Sequence, residues 1–406
     1  MLHHMSHQYD LSSLEFVSNP YPTYERLLAN YPIYGDESTG IWYISSYRYV
    51  TSLFKDSRFS SNRVQPLVAG LSDGERQAVR PLADTLSKIV LFLDPPKHTP
   101  IRKAINKALT LRLVTQMTPR IQALVNQLIE DVYERGYMDI IADVAYPLPA
   151  IVIAEMLGAN PKDRDKLKQW SDDLARFLGA KTTANEVIQV QQSVLEMREY
   201  FRHVLKRHYA KPGDNLLGSL LTIREKDKDF TDDDLLANCV GLIFAGHETT
   251  TNLIANGLLA LLKHPEQMQA LKQNPSLITM AVEECLRYES PVQRIGRIPV
   301  EDIHLNGICI PKGQRVFLLL GAANRDHEVF SAPNAFHITR AENRHLAFGY
   351  GTHSCPGAAL GKLEANIAIN SLISRLNGLE LRTETPQWQY NLGFRAMEAM
   401  PIAFKP

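Results

Sequence analysis

The chain has 406 residues, 45% hydrophobic and 22% charged, and its 44 basic and 44 acidic side chains give a formal net charge of zero. Such a chain can bury a large core without disulfides or structural metals, and its balanced charge excludes bulk attraction to nucleic acid or to an anionic membrane. The four cysteines, Cys239, Cys285, Cys309 and Cys355, form no Cys-x-x-Cys pair, which supports neither a zinc ribbon nor a redox dithiol and suits a reducing compartment.

Residues 1–18 are predicted as a disordered tail, with His3, His4 and His7 near its start and no apolar stretch resembling a signal peptide or membrane anchor. The protein is therefore expected in the cytoplasm, as one domain over residues 19–406. A short helix is predicted after Asn19-Pro20-Tyr21-Pro22 through Leu28, then a strand at Ile41-Trp42-Tyr43-Ile44 and a helix from Tyr47 to Asp56. Residues 61–97 read as irregular with modest helical pieces, a kind of segment that often carries function. From Thr99 to Thr222 the apolar spacing is mainly helical, as in Ile121, Leu124, Leu128 and Val132, until Lys211-Pro212-Gly213-Asp214 interrupts it. A long helix is predicted from Asp232 to about Lys263, with Thr231 as N-cap, three aspartates in its first turn and Pro265 past its end. A helix through Arg287, strand-like pieces at Ile303–Ile310 and Arg315–Leu320, and a helix from about Ala358 to Leu376 complete the pattern. No repeat or flexible linker is visible, so the fold class is mainly α with a small β portion in one integrated domain.

Chemistry concentrates in two places. Residues 345–364 read His-Leu-Ala-Phe-Gly-Tyr-Gly-Thr-His-Ser-Cys-Pro-Gly-Ala-Ala-Leu-Gly-Lys-Leu-Glu, a single thiol among Gly349, Gly351 and Gly357 just before a helix. Free N–H groups at a helix start stabilise a thiolate, and a lone thiolate can be the one protein ligand to haem iron. A buried free cysteine in a glycine-rich loop is the bland alternative. In the long helix, Glu248 is the only charged residue between Leu235 and Leu262. Such a helix belongs in a core; Asn238, Asn252, Asn256, His247 and Glu248 argue against a membrane span. A carboxylate and several hydroxyls inside a buried helix require a reason.

The loop Phe348-Gly349-x-Gly351-x-His353-x-Cys355-x-Gly357 resembles the haem-binding signature of the cytochrome P450 family at every defined position. Ala245-Gly246-His247-Glu248-Thr249-Thr250 resembles the same family's oxygen-activation motif. The resemblance implies that Cys355 ligates haem b, that Ala245 and Gly246 leave room for dioxygen, that Thr249 orients hydrogen bonds and that Glu248 relays protons. A threonine can instead bond back to the preceding turn, a role open to Thr250 or Thr251 and the bland alternative for Thr249. Glu284 and Arg287, with Arg340, resemble the family's structural Glu-x-x-Arg network. His98, Arg102, Arg297 and His353 resemble its cations for the two haem propionates. The resemblance covers nearly everything from Asn19 to about Ala403.

The implied activity is a soluble monooxygenase inserting one oxygen atom of O2 into a lipophilic small molecule. Its electrons would come from a separate ferredoxin or flavodoxin and its reductase, since no nucleotide-binding Gly-rich βαβ unit is evident. Lys103, Lys107, Arg112 and Lys362 are candidates for the donor's docking face, against a plain solvated surface. Expected pocket walls are Ile89, Val90, Ile243, Phe244, Val292, Ile295, Gly296 and Phe394, each of which would equally suit a core; Arg294 is a further candidate for a substrate acid. A peroxide-driven haem-thiolate enzyme and a non-catalytic haem sensor or carrier are the alternative readings.

Overall fold

A computed structural model describes residues 9–64, 72–179, 184–210, 213, 215–227 and 229–406. His3, His4, His7, Lys211, Pro212 and Asp214 lie outside these residues. The central helix runs Asp232–Lys263 and is about 48 Å long at about 1.5 Å per residue. It starts at a capping box in which Thr231 Oγ1 accepts the Asp234 N–H at 3.1 Å while the Asp234 carboxylate accepts the Thr231 N–H at 3.0 Å. Asp232, Asp233 and Asp234 meet the positive end of the helix dipole. Its apolar residues are buried almost all round, against the helices Pro147–Met156, Arg164–Gly179, Ala184–Ala210, Ile278–Tyr288 and Ala358–Arg375. Among the described residues no helix is long and apolar enough to cross a membrane.

The β portion is small. Strands β1 (Ile33–Asp36), β2 (Ile41–Ile44), β3 (Phe59–Ser60), β4 (Tyr137–Asp139), β5 (Arg294–Pro299), β6 (Ile303–Leu305), β7 (Ile308–Ile310), β8 (Arg315–Leu319), β9 (Asn377–Leu381) and β10 (Pro401–Lys405) form three sheets. The largest has the order β1-β2-β8-β5-β3, with β2 and β8 parallel. It carries Arg297 beside Val316 on β8. The predicted strand-like piece Ile303–Ile310 is a hairpin, because Asn306 (φ 51°) and Gly307 (φ 76°) turn the chain.

Two expectations are corrected. The tail predicted as disordered through residue 18 is packed from Tyr9 onward: Leu11, Phe16 and Val17 are buried, Ser13 caps the helix Leu14–Ser18, and Arg395 donates to the carbonyls of Val17 and Ser18. The stretch read as irregular contains a 14-residue helix, Asp73–Leu86, opened by a Ser72/Glu75 capping box.

One buried ion network ties the loops below the thiol to the helical core. Glu284 and Arg287, both with 0% side-chain exposure, form a bidentate pair at 2.8 Å, and Arg340 Nε adds a second cation at 3.0 Å. Arg287 also donates to the carbonyls of Asn324, Pro333 and Ala335, while Asn324 Oδ1 accepts the Leu346 N–H at the entrance to the cysteine loop. Removing one member of such a buried set leaves uncompensated charge, which costs about 3–5 kcal/mol. Glu130, by contrast, is 68% exposed and pairs with Arg375 at 2.9 Å on the surface, where a pair contributes about 1 kcal/mol or less. Glu284→Gln should therefore lower the urea denaturation midpoint far more than Glu130→Gln; equal shifts would contradict this assignment.

Candidate active site

The cysteine loop is shaped by backbone conformation. Gly349 (φ 67°) and Gly351 (φ 71°) lie in the left-handed region, and a Cβ at Gly351 would come within 3.1 Å of the Phe54 carbonyl. The loop closes through a 2.8 Å bond from the Cys355 N–H to the Phe348 carbonyl, just before the helix Ala358–Arg375. Burial pushes the Cys355 thiol up, against the opposing pull of the Gly357 and Ala358 N–H groups and of Arg102. Arg102 itself donates to the Ser354 carbonyl. Cys355 nonetheless borders open space, whereas Cys239 and Cys285 are sealed in the core, where desolvation keeps them protonated.

On the central helix the opening is at Ala245, an exposed residue between buried Phe244 and the half-buried Gly246. Gly246 does not add to that opening as expected: a Cβ there would meet Ile153 at 2.7 Å, so this glycine permits close helix packing. Thr249 Oγ1 donates to the Ala245 carbonyl at 3.0 Å, the back-bond anticipated for its neighbours, which leaves its oxygen lone pairs as acceptors. Glu248 is half-buried and accepts from Asn252 at 3.1 Å. The structure adds residues that the sequence did not single out. Ser171 Oγ lies 3.1 Å from His247 Nδ1, and Asp172 Oδ1 lies 3.7 Å from His247 Nε2, which is also 3.9 Å from Glu248 Oε2. Lys168 pairs with Asp172 at the more exposed side of this cluster. Thus a buried histidine stands between Glu248 and Asp172 of the helix Arg164–Gly179, within ion-pair distance of both carboxylates but with its Nε2 hydrogen-bonded to neither.

Four predicted cations are brought together beside the cysteine loop. The His98 and His353 rings lie 4.3 Å apart, Arg102 follows His98 on one helix face, and Arg297 is buried over the Phe54 ring. His353 Nε2 lies 3.1 Å from Ser61 Oγ. Among the described residues no ion pair neutralises Arg102 or Arg297, and neither ring nitrogen of buried His98 has a hydrogen-bond partner. Desolvation, aggravated by Arg297, His98, Arg63 and Arg102, pushes His353 down to about 3, and burial brings Arg297 to about 10 even though Asp94 opposes it. A cluster so short of anions fits a ligand that carries carboxylates. With a bordering thiol and an open position on the central helix, the residues present fit haem: Cys355 would hold iron, and Arg102 and Arg297, with the His98 and His353 imidazoles, would hold propionates.

The proposed pocket residues separate into groups. Ile89 packs on Gly241, where a Cβ would meet it at 2.6 Å, and the Val90 N–H donates to Asn238 at 2.9 Å, so this early segment is pinned to the central helix. Phe244 meets Phe394 edge-on at 6.0 Å, and Phe394 bridges to Val292. Ile243 is buried, and Ile295 is half-buried on β5. Gly296 instead turns its open side to Arg63 and Phe317. Arg294 stacks on Phe317 at 4.1 Å, which gives it a sheet-packing role.

Comparison with known proteins follows the same lines. The family model for cytochrome P450 matches residues 37–396. The biotin biosynthesis cytochrome P450 of Bacillus subtilis (strain 168) is 38% identical over 398 residues, covering 97% of this chain and 98% of that protein. The vitamin D(3) 25-hydroxylase of Pseudonocardia autotrophica is 34% identical over 405 residues, covering 98% and 97%. The crystal structure of P450BioI in complex with hexadec-9Z-enoic acid ligated acyl carrier protein superposes with a TM-score of 0.90 at 37% identity, covering 97% of this chain and all of that one. The thiol loop, the polar interruption of the central helix and the matches along nearly the whole sequence lead to one conclusion: this chain belongs to the cytochrome P450 family and is a haem-iron monooxygenase.

Proposed function

We propose that this protein binds haem b through Cys355 and oxidises a lipophilic small molecule or acyl chain in the cytoplasm. The observation that carries this reading is the Cys355 thiol, bordering open space yet met by the N–H groups of Gly357 and Ala358 at a helix start. When bound, the haem supplies dioxygen activation and insertion of one oxygen atom into substrate, while two electrons and two protons reduce the other atom to water. Gly357 and Ala358 tune the charge on sulfur. His98, Arg102, Arg297 and His353 fix the propionates. Ala245 leaves space beside the central helix, Thr249 accepts and orients a proton donor there, and Glu248 delivers protons from the side of His247 and Asp172.

Ile89, Val90, Ile243, Phe244, Val292, Ile295 and Phe394 supply apolar walls, which suit a lipophilic substrate. Two relatives, one crystallised with an acyl chain on a carrier protein and one named a vitamin D(3) 25-hydroxylase, fit that class. Electrons come from a separate ferredoxin or flavodoxin. Lys103, Lys107 and Arg112 are exposed and available to an acidic donor, whereas Lys362 is engaged by Glu283.

Isotope labelling tests the reaction class. With 18O2, reductant and a ferredoxin system, product should carry one labelled oxygen; turnover with peroxide but none under these conditions would contradict the proposal. Thr249→Ala should lower the product rate by about 10²-fold, as loss of the group that positions a proton donor does, while oxygen consumption continues and hydrogen peroxide accumulates. Unchanged coupling of oxygen to product would remove Thr249 from the mechanism. Phe394→Ala should weaken binding of a spin-shifting lipophilic ligand about tenfold, the worth of roughly 1.4 kcal/mol of aromatic contact, with haem content unchanged.

A further inference from the structure

Arg63 belongs to none of the motifs above, yet it sits among the groups assigned to the propionates. It follows Ser61, whose hydroxyl meets His353, and its Cδ occupies the space that a side chain on Gly296, the neighbour of Arg297, would need: a Cβ there would come within 2.9 Å. The guanidinium stacks on the Phe92 ring at 4.9 Å. Its Nε is buried with no hydrogen-bond partner, and among the described residues no carboxylate pairs with it. The nearby acid is already committed, since Asp94 accepts from the Ser60 hydroxyl and from the Ser61 N–H. Burial, with repulsion from Arg297, pulls Arg63 down to about 9. A half-buried cation whose Nε is sealed from water and which faces another cation is costly unless an anion completes the set.

We infer that Arg63 is a fifth propionate-binding residue, clamping a haem carboxylate between the Ser61–Arg63 segment and β5. This rests on the haem reading above and extends it to a residue outside the family-like motifs. Three guanidiniums and two imidazoles then face two carboxylates. Arg63 holds the segment that follows β3 to the cofactor, and its charge raises the reduction potential of the iron by favouring the more electron-rich state. Gly296 has a matching role: it is small because Arg63 passes over it.

The test compares the wild-type protein with Arg63→Gln and Arg63→Lys, each loaded with haem and, separately, with haem dimethyl ester, whose propionates carry no charge. Haem transfer to apomyoglobin and the reduction potential are the readouts. Arg63→Gln should release free-acid haem about tenfold faster or more, the loss of one or two charge-assisted hydrogen bonds, and should shift the potential to more negative values. Arg63→Lys should recover part of both, and the difference between wild type and Arg63→Gln should vanish with the dimethyl ester. Gly296→Ala, which displaces Arg63 without removing it, should speed haem release in the same direction. Equal release rates and potentials for wild type and Arg63→Gln would overturn the inference. So would an unchanged haem affinity with a lost affinity for decanoate, because Arg63 would then serve a substrate carboxylate. If the wild type itself takes up no haem, the haem reading fails instead, whatever Arg63 does.

Discussion

Taking a thiolate out of water favours its protonated form, because the charge loses its hydration. For Cys355 to act as an anionic ligand, that penalty must be met by positive charge. The Gly357 and Ala358 N–H groups and Arg102 offset part of it, and the rest would fall to the charge of the bound metal itself. The left-handed backbone at Gly349 and Gly351 turns the loop so that it closes on the Phe348 carbonyl. Each of these depends on a rigid floor. The Glu284–Arg287–Arg340 network, with Asn324 bonded to the Leu346 N–H, supplies that floor at the loop's entrance.

The same accounting explains the basic surroundings. His98, Arg102, Arg297, His353 and Arg63 are a poor arrangement for an isolated polypeptide, since they repel one another and Asp94 is already bonded to Ser60 and Ser61. That repulsion is offset once two carboxylates lie among them. Cofactor binding is thereby coupled to stability, as for any ligand that binds only the folded chain. On the central helix Ala245 is exposed and Glu248 and Thr249 are half-buried, while Gly241 and Gly246 keep its other faces tight against Ile89 and Ile153.

Local patterns made much of this legible in the sequence. The cysteine loop, the capped central helix and Glu284/Arg287 are contiguous or a turn apart, so spacing alone places their side chains together. Groups joined only by the tertiary fold left no such mark. Asp172 and Ser171 come to His247 from another helix, and Arg340 joined the ion network only through resemblance. Arg63 lies in a stretch that reads as irregular because Gly74 near the start of the following helix and Pro81 inside it are poor helix formers. Gly246 was misassigned for a related reason: sequence shows that a position is small, but not which neighbour requires it. The packing of Tyr9–Ser18 was likewise hidden, since it depends on Arg395 near the far end of the chain.

The central claim is a sulfur–iron bond made by Cys355, and optical spectroscopy of the reduced protein under carbon monoxide addresses it directly. The account predicts a strongly red-displaced main absorption band for the wild-type protein, which disappears in Cys355→Ser. A band at the position typical of histidine-ligated haem in the wild type, or an unaltered red-displaced band in Cys355→Ser, would contradict it.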